Sequence, residues 1–209
     1  MASLLPRRWF VACAALVGQI AQAGTIEQAY IFGDPQMQVK AGAVVGCGYR
    51  LKGMPKDTAL SKPFILLDTS FNLYANGLEL LKGGAMLMSP KKDGQLGQPV
   101  NKPINGFWLM AGDGPPTAPV GNKVLAAEDR GYLLYGITVG ASTALFAAIL
   151  DGSPVTVGVR IKGEPIDRIY AGVVNVSDAD KQQHQQCMTR LLKRLRSDLT
   201  EPDKASPTR

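Results

Sequence analysis

Apolar and polar residues alternate most regularly over residues 64–74, and this period of two predicts a strand with one buried face. The positions predicted to be buried are Ile65, Leu67, Thr69, Phe71 and Leu73. The pair Asn76-Gly77 follows and predicts a two-residue type I′ turn, because both residues tolerate positive φ. Residues 78–82 then form the returning strand. A second turn at Gly83-Gly84 leads into residues 85–88, so the region predicts a three-stranded antiparallel meander.

The preceding segment is less regular. Residues 24–40 show no clear hydrophobic period, and Gly33-Asp34-Pro35 predicts a turn within them. A strand is expected over residues 37–50, where glycines indicate a bend or a bulge. Cys47 lies in the middle of this strand.

The middle of the chain alternates between irregular and regular segments. Residues 89–105 are polar and rich in proline and glycine, which predicts a surface loop, and residues 111–122 predict a second irregular stretch. Between them, residues 107–110 return to the core. Strands are expected over residues 123–127 and 132–139, joined by a turn at residues 128–131.

The last third begins with a short predicted helix over residues 143–150. Ser142 is the expected N-cap, and Asp151-Gly152 would end the helix because glycine adopts the left-handed conformation without penalty. Two alternating segments, residues 155–162 and 166–176, predict a pair of strands.

The longest predicted helix starts at Ser177, its expected N-cap, and acidic residues in its first turn suit the positive end of the helix dipole. One apolar stripe at spacings of three and four consists of Cys187, Met188, Leu191, Leu192, Leu195 and Leu199. The stripe predicts that the helix packs on the domain. Residues 200–209 have no apolar anchor, and we expect a disordered tail there.

The first 23 residues indicate a secretory signal peptide: a basic head with Arg7 and Arg8, an apolar run, and small residues before Gly24. A lipoprotein would use Cys13, but only four residues separate Cys13 from Arg8. We therefore expect cleavage after Ala23 and a periplasmic or secreted protein of bacterial type. No later segment is long and apolar enough to predict a transmembrane helix.

Removal of the signal peptide also removes Cys13 and leaves Cys47 and Cys187 as a lone pair. Disulfides persist in exported proteins, so these two cysteines are expected to bond and to tie an early strand to the last helix. The fold predicted for residues 24–199 is a single α+β domain. It combines a mainly antiparallel β-sandwich or rolled sheet with a short helix, a longer C-terminal helix and one disulfide.

Charge gives no sign of a nucleic-acid partner. The formal net charge of the chain is +6, and loss of Arg7 and Arg8 reduces it to +4, with acidic residues spread along most of the sequence. The sequence predicts no cofactor, and it leaves the oligomeric state open.

Three sets of residues carry candidate chemistry. Carboxylates at Asp113, Glu128 and Asp129 are the residues that a secreted cell-envelope hydrolase would use. A soft-metal carrier would instead combine Cys47, His184, Cys187 and Met188. His184, the one histidine of the chain, lies among glutamines, so we expect a solvated side chain rather than a ligand. Phe107, Trp108 and Asp113, at or near irregular backbone, are the candidate binding residues.

The order of elements over residues 141–195 resembles the end of secreted bacterial proteins of the invasion-associated locus B type: helix, Asp-Gly stop, two strands, polar cap and a cysteine-bearing helix. The resemblance implies a small extracytoplasmic β-sandwich with attached helices and assigns no residue roles. The expected β frame, the long loops and the lack of a histidine-based or cysteine-based catalytic set favour a non-catalytic binding or interaction protein. Its partner would be a protein or an envelope component, and an enzyme is the less favoured interpretation.

Overall fold

The computed structural model describes the backbone of residues 24–200 and the side chains of residues 24–196. The predicted signal peptide with Cys13 and the predicted tail from residue 201 onward lie outside the described residues. The expected export signal and tail therefore stay predictions.

Within the described chain there are ten strands and two α-helices. The strands are β1 Ile26–Lys40, β2 Ala43–Pro55, β3 Phe64–Tyr74, β4 Glu79–Met88, β5 Val100–Lys102, β6 Ile104–Ala111, β7 Leu125–Ala126, β8 Leu133–Gly136, β9 Pro154–Ile161 and β10 Arg168–Asn175. The helices are α1 Val139–Asp151 and α2 Asp178–Thr200, and one 3₁₀ turn covers Val120–Asn122.

The strands form one sheet in the order β6-β9-β10-β1-β2-β3-β4-β8-β7, with β5 added beside β4. Neighbouring strands are antiparallel except for β1 and β10, which run parallel. The described chain is thus mostly β-sheet with two helices and one disulfide, as the sequence predicts. The sheet is not closed into a barrel.

The main core draws side chains from both halves of the sheet. Fully buried members include Tyr49, Phe71, Leu109, Leu145, Val157 and Tyr170. Tyr170 of β10 also donates a hydrogen bond from its hydroxyl to the backbone oxygen of Ile65 in β3, 2.9 Å away. Because β10 and β3 are separated by two strands in the sheet order, this bond shows that the sheet curls enough to bring its halves together.

The predicted turn at Gly33-Asp34-Pro35 is wrong, because β1 runs through it without a break. Pairing with β10 ends at Phe32, so beyond that point β1 pairs with β2 alone. Proline has no N–H to donate, and it is tolerated on a strand that has a free edge. The real turn lies at Ala41-Gly42, where both residues have positive φ, and it divides the strand predicted over residues 37–50.

The strand predicted over residues 64–74 is confirmed as β3, but the turn after it has a different geometry. Gly77 has φ of 75°, whereas Asn76 is not among the residues with positive φ. The Gly77 N–H donates to the Tyr74 oxygen, and the Tyr74 N–H donates to the Leu78 oxygen, both at 2.9 Å. These contacts define a three-residue loop with a glycine bulge instead of the predicted type I′ turn.

The turn predicted at Gly83-Gly84 is also wrong, since β4 continues through both glycines. The rings of Phe107 and Tyr132 occupy the space that side chains at Gly83 and Gly84 would need, respectively. Here glycine allows two aromatic rings to lie directly on the backbone of a strand. Residues 64–88 therefore form two strands, β3 and β4, instead of the three predicted, and the other edge of β4 pairs with β5 and β8.

The loop predicted over residues 89–105 is irregular at first but contains β5, which pairs with β4. Helix α1 begins earlier than predicted. Thr138 is its N-cap, while Ser142 is buried inside the helix and donates a hydrogen bond to the Val139 oxygen. The predicted stop is confirmed, because Gly152 adopts the left-handed conformation with φ of 78°.

The strand pair and final helix of the last third are confirmed. Strands β9 and β10 pair antiparallel, and the Ser177 hydroxyl accepts a hydrogen bond from the Asp180 N–H at the start of α2. Cys187 and Leu191 of the predicted stripe are buried against the sheet. Leu192 is 54% exposed, so its assignment to the packed face is wrong.

Candidate functional site

The outer face of the sheet over β1–β4 is polar because the strands alternate. Tyr49, Leu51, Phe71 and Leu81 point into the core, and their neighbours along each strand point the other way. The strand register then aligns Asp34, Arg50, Ser70 and Lys82 in one row across the sheet. A charged and polar surface follows from this register.

A cleft with a volume of about 550 Å³ opens on this face. It lies between the outer residues of β1–β4 and the turn that joins β7 to β8. Its polar lining consists of Gln36, Gln38, Arg50, Asp68, Thr69, Ser70, Asn72, Tyr74, Lys82, Glu128, Asp129 and Tyr132. We call it the polar cleft.

Asp68 is the centre of a hydrogen-bonded cluster in the polar cleft. Arg50 donates from Nε to Oδ1 at 2.7 Å and from Nη2 to Oδ2 at 2.6 Å, and the Tyr132 hydroxyl donates to Oδ2 at 2.7 Å. The Asp68 side chain is 3% exposed. Burial and the bond to Asp68 raise the pKa of Tyr132, so its hydroxyl stays a hydrogen-bond donor.

A second ion pair closes the other side of the cleft. The Lys82 ammonium binds the Asp129 carboxylate and lies 5.6 Å from the centre of the Tyr132 ring, within cation–π distance. The hydrogen bond and charge of Lys82 lower the pKa of Asp129. Asp129 is therefore held in its ionised form.

Amides and a hydroxyl supply much of the remaining polar lining. Gln36 and Gln38 come from β1, whereas Ser70 and Asn72 come from β3. The Oδ1 atom of Asn72 is buried and has no hydrogen-bond partner within the described chain. A buried acceptor without a partner is unfavourable, and a ligand that donates a hydrogen bond would satisfy it.

The three carboxylates proposed from sequence do not come together. Glu128 and Asp129 line the polar cleft, but Asp113 lies exposed in the loop after β6 and is not part of the lining. The structure instead adds Asp68, which the sequence-based candidates omitted. Its signal is present in the sequence, since Asp68 is the only charged residue of the strand formed by residues 64–74.

Phe107 and Trp108 point to opposite faces of β6. The Phe107 ring is 6% exposed, packs against Tyr135 with ring centres 4.8 Å apart, and covers Gly83. Trp108 is half-buried and its indole covers Gly158 of the paired strand β9. Both rings have clear packing roles, and their role in binding stays a prediction.

The predicted disulfide between Cys47 and Cys187 is present and joins β2 to α2, with Cα atoms 5.9 Å apart. A disulfide offers no thiolate to a metal, so the soft-metal set of Cys47, His184, Cys187 and Met188 loses two anionic ligands.

The expectation of a solvated His184 is wrong. Its ring is 3% exposed and packs against the rings of Tyr49 and Phe146, with ring centres 4.5 and 4.9 Å away. Burial lowers the pKa of His184 to about 4, although a hydrogen bond to the Gly48 backbone partly offsets the shift. His184 is therefore a neutral member of an aromatic cluster at neutral pH.

Comparison of the chain with protein-family models, with curated proteins and with solved structures found no match. The resemblance of residues 141–195 to proteins of the invasion-associated locus B type thus stays an observation about the order of elements. Neither described helix is apolar enough over a sufficient length to cross a membrane. Function has to be inferred from the cleft itself.

Proposed function

We propose that this chain is an exported, non-catalytic binding protein that recognises a glycan of the cell envelope in the polar cleft. The observation that carries the proposal is the division of the lining into two parts. Four charged side chains form two ion pairs, Arg50 with Asp68 and Lys82 with Asp129, while Glu128, also in the lining, is exposed. The amide and hydroxyl groups remain to bind a ligand.

This composition suits a sugar better than an ion. Sugar hydroxyls both donate and accept hydrogen bonds, and so do the side chains of Gln36, Gln38 and Ser70. The unpartnered Oδ1 atom of Asn72 needs a donor. The Tyr74 ring, which also lines the cleft, offers an apolar surface for the C–H groups of a sugar.

The hydrolase alternative receives less support from the same contacts. A general acid needs a carboxyl group that holds its proton near neutral pH, usually through a raised pKa. Lys82 lowers the pKa of Asp129, and both oxygens of Asp68 accept hydrogen bonds. These contacts favour recognition over proton transfer.

Export is supported by the predicted signal peptide and by the Cys47–Cys187 disulfide, which is compatible with an oxidising compartment. Polysaccharides of the cell envelope are among the molecules that an exported chain would meet. The proposal therefore connects the expected location with the chemistry of the cleft.

The test is a glycan-array screen of the oxidised protein, followed by calorimetric titration of any bound oligosaccharide with two matched variants. Gln36→Ala removes an amide from the cleft and is expected to weaken binding about fivefold, the loss of one neutral hydrogen bond. Gln28 lies on the same strand but outside the cleft, so Gln28→Ala should leave the affinity for the oligosaccharide unchanged. Equal affinity of all three proteins would refute the site, and release of new reducing ends would favour the hydrolase.

A further inference from the structure

A second recess, separate from the polar cleft, lies between helices α1 and α2 and has a volume of about 520 Å³. Its walls are largely apolar, with Val139, Phe146 and Leu150 from α1 and Met188 and Leu192 from α2. We call it the interhelical groove. Its volume falls in the range of small-molecule binding sites.

The rim of the interhelical groove leaves large apolar side chains in contact with solvent. Val139 is 62% exposed and Leu192 is 54% exposed, and Leu150 joins them on the same rim. Apolar side chains that surround a recess in this way mark a surface suited to binding an apolar group. A chain of methylene groups would cover them.

A buried carboxyl lies among these apolar residues. Glu79, at the start of β4, lines the interhelical groove although only 2% of the residue is exposed, and neither of its carboxyl oxygens has a hydrogen-bond partner within the described chain. Burial raises the pKa of Glu79, and the nearby Ser142 hydroxyl partly opposes that shift although its own hydrogen bond goes to the Val139 oxygen. An ionised carboxylate that is buried without a partner is strongly unfavourable, so the charged form of Glu79 needs a cationic or hydrogen-bond-donating group beside it.

A second polar atom without a partner belongs to the opposite wall. His184 of α2 lines the groove, is 3% exposed, and its Nδ1 atom has no hydrogen-bond partner in the described chain. The neutral imidazole can accept a hydrogen bond at that nitrogen when the other nitrogen carries the proton. Glu79 and His184 can therefore both accept hydrogen bonds, which favours a ligand that donates them.

We propose that the interhelical groove binds a cationic amphiphile, with an ammonium head at Glu79 and an alkyl chain along the side of the groove formed by Val139 and Leu192. A primary ammonium carries three N–H donors and no acceptor, which matches the acceptor atoms of Glu79 and His184. The alkyl chain covers the exposed apolar rim. A fatty acid would bring a second negative charge to Glu79 and is disfavoured.

The experiment is a titration of the full oxidised chain, followed by two-dimensional NMR, with octylammonium, octanol and octanoate, each below its micelle concentration. Octylammonium is expected to shift the resonances of Phe146 and His184 in a saturable manner. Its dissociation constant should lie at least about tenfold below that of octanol, because a charge-assisted hydrogen bond replaces a neutral one.

Glu79→Gln keeps the shape of the side chain and removes its charge, so the preference for octylammonium over octanol should disappear. A second variant serves if that protein does not fold. Leu192→Gln changes a rim residue that is 54% exposed and should weaken the binding of both ligands about fivefold. Leu125→Gln, on β7 and outside the groove, changes a residue that is 62% exposed and should weaken the binding of neither.

Three results would overturn the proposal. Octanol or octanoate could bind as tightly as octylammonium, the shifted resonances could map outside the interhelical groove, or no saturable binding could occur. Binding of a lysine-bearing apolar peptide without binding of octylammonium would assign the groove to a protein partner instead. Because none of these ligands is a sugar, the outcome is independent of glycan binding in the polar cleft.

Discussion

Arg50 holds the buried carboxylate of Asp68 through two hydrogen bonds of 2.7 and 2.6 Å, one to each oxygen. The Tyr132 hydroxyl, 64 residues further along the chain, donates a third hydrogen bond to Asp68. The cluster links β2, β3 and the segment just before β8, so it fixes the turn that forms one wall of the polar cleft to the sheet. Its integrity is a condition for the shape of the site.

Asp68→Ala is expected to lower the free energy of unfolding by about 3 kcal/mol, because it removes a buried charged acceptor from Arg50 and leaves the Tyr132 hydroxyl without its partner. Urea unfolding measures the change. Asp34→Ala is the control, since the Asp34–Lys52 pair is exposed and should contribute less than about 1 kcal/mol. Equal losses in the two variants would contradict a structural role for the Asp68 cluster.

Replacement of Cys47 and Cys187 together by alanine should destabilise the protein by as much as about 5 kcal/mol, the loop-closure value for a bond that spans 140 residues. Thermal and urea unfolding with and without reductant give the size of the effect. Reductant should lower the stability of the wild-type protein and leave the double variant unchanged. Alkylation of two free thiols in the oxidised protein would show that the bond is absent.

Acid should lower the stability of the fold, because protonation of His184 favours the unfolded chain. The pKa of His184 in the folded protein is about 4, below the ordinary 6.5. Between these two pH values His184 is therefore protonated in the unfolded chain and neutral in the folded one. The free energy of unfolding should therefore fall by about 3 kcal/mol from this residue as the pH drops from 7 to 4. Above pH 6.5 His184 is neutral in both states, so its full contribution to stability is present there and is lost as the pH falls towards 4.

His184→Phe keeps a ring beside Tyr49 and Phe146 and removes the titration, so the free energies of unfolding of the two proteins should diverge by about 3 kcal/mol between pH 7 and pH 4. Because the chain has one histidine, NMR of an untagged protein gives its pKa without overlap from other histidines. A measured pKa at or above 6.5 would be incompatible with the buried position.

Gly83→Ala should destabilise the protein by about 2 kcal/mol, since the added methyl group meets the ring of Phe107 and forces it to move within the core. Gly106→Ala provides a control on β6, because nothing lies within 4 Å of its added Cβ and its φ is not positive. Thermal unfolding of the two variants measures the difference, and Gly83→Ala should be the less stable of the two. Similar stabilities would mean that Phe107 can leave Gly83 without loss.

The sequence predicts the parts of this fold that depend on local pattern. Strand β3 follows from alternation, and the start of α2 follows from the Ser177 cap. Gly83-Gly84 fails as a turn because Phe107 and Tyr132, far along the chain, occupy the space above the glycines. These contacts belong to the tertiary structure, so the residues around Gly83 and Gly84 in the sequence do not predict them.

The sequence predicts single residues of the polar cleft but not the cleft itself. Asp129 was a candidate from its position in a turn, and Asp68 stands out as a charge in an apolar strand. Their meeting in one cleft depends on the pairing of β2, β3, β4 and β8, whose registers follow from core packing on the opposite face. The polar sequence neighbours of His184 predict a solvated side chain, whereas its ring packs on Tyr49 and Phe146, which are distant in sequence.

The parallel pairing of β1 with β10 has a consequence for the order of folding. Ile26 pairs with Ile169, so the first strand emerges from the ribosome long before the strand that completes its second edge. Such non-local pairing slows folding. Until β10 arrives, the unpaired edge of β1 can accept a strand of another nascent chain. Newly made copies are thus able to pair with one another through this edge until β10 docks.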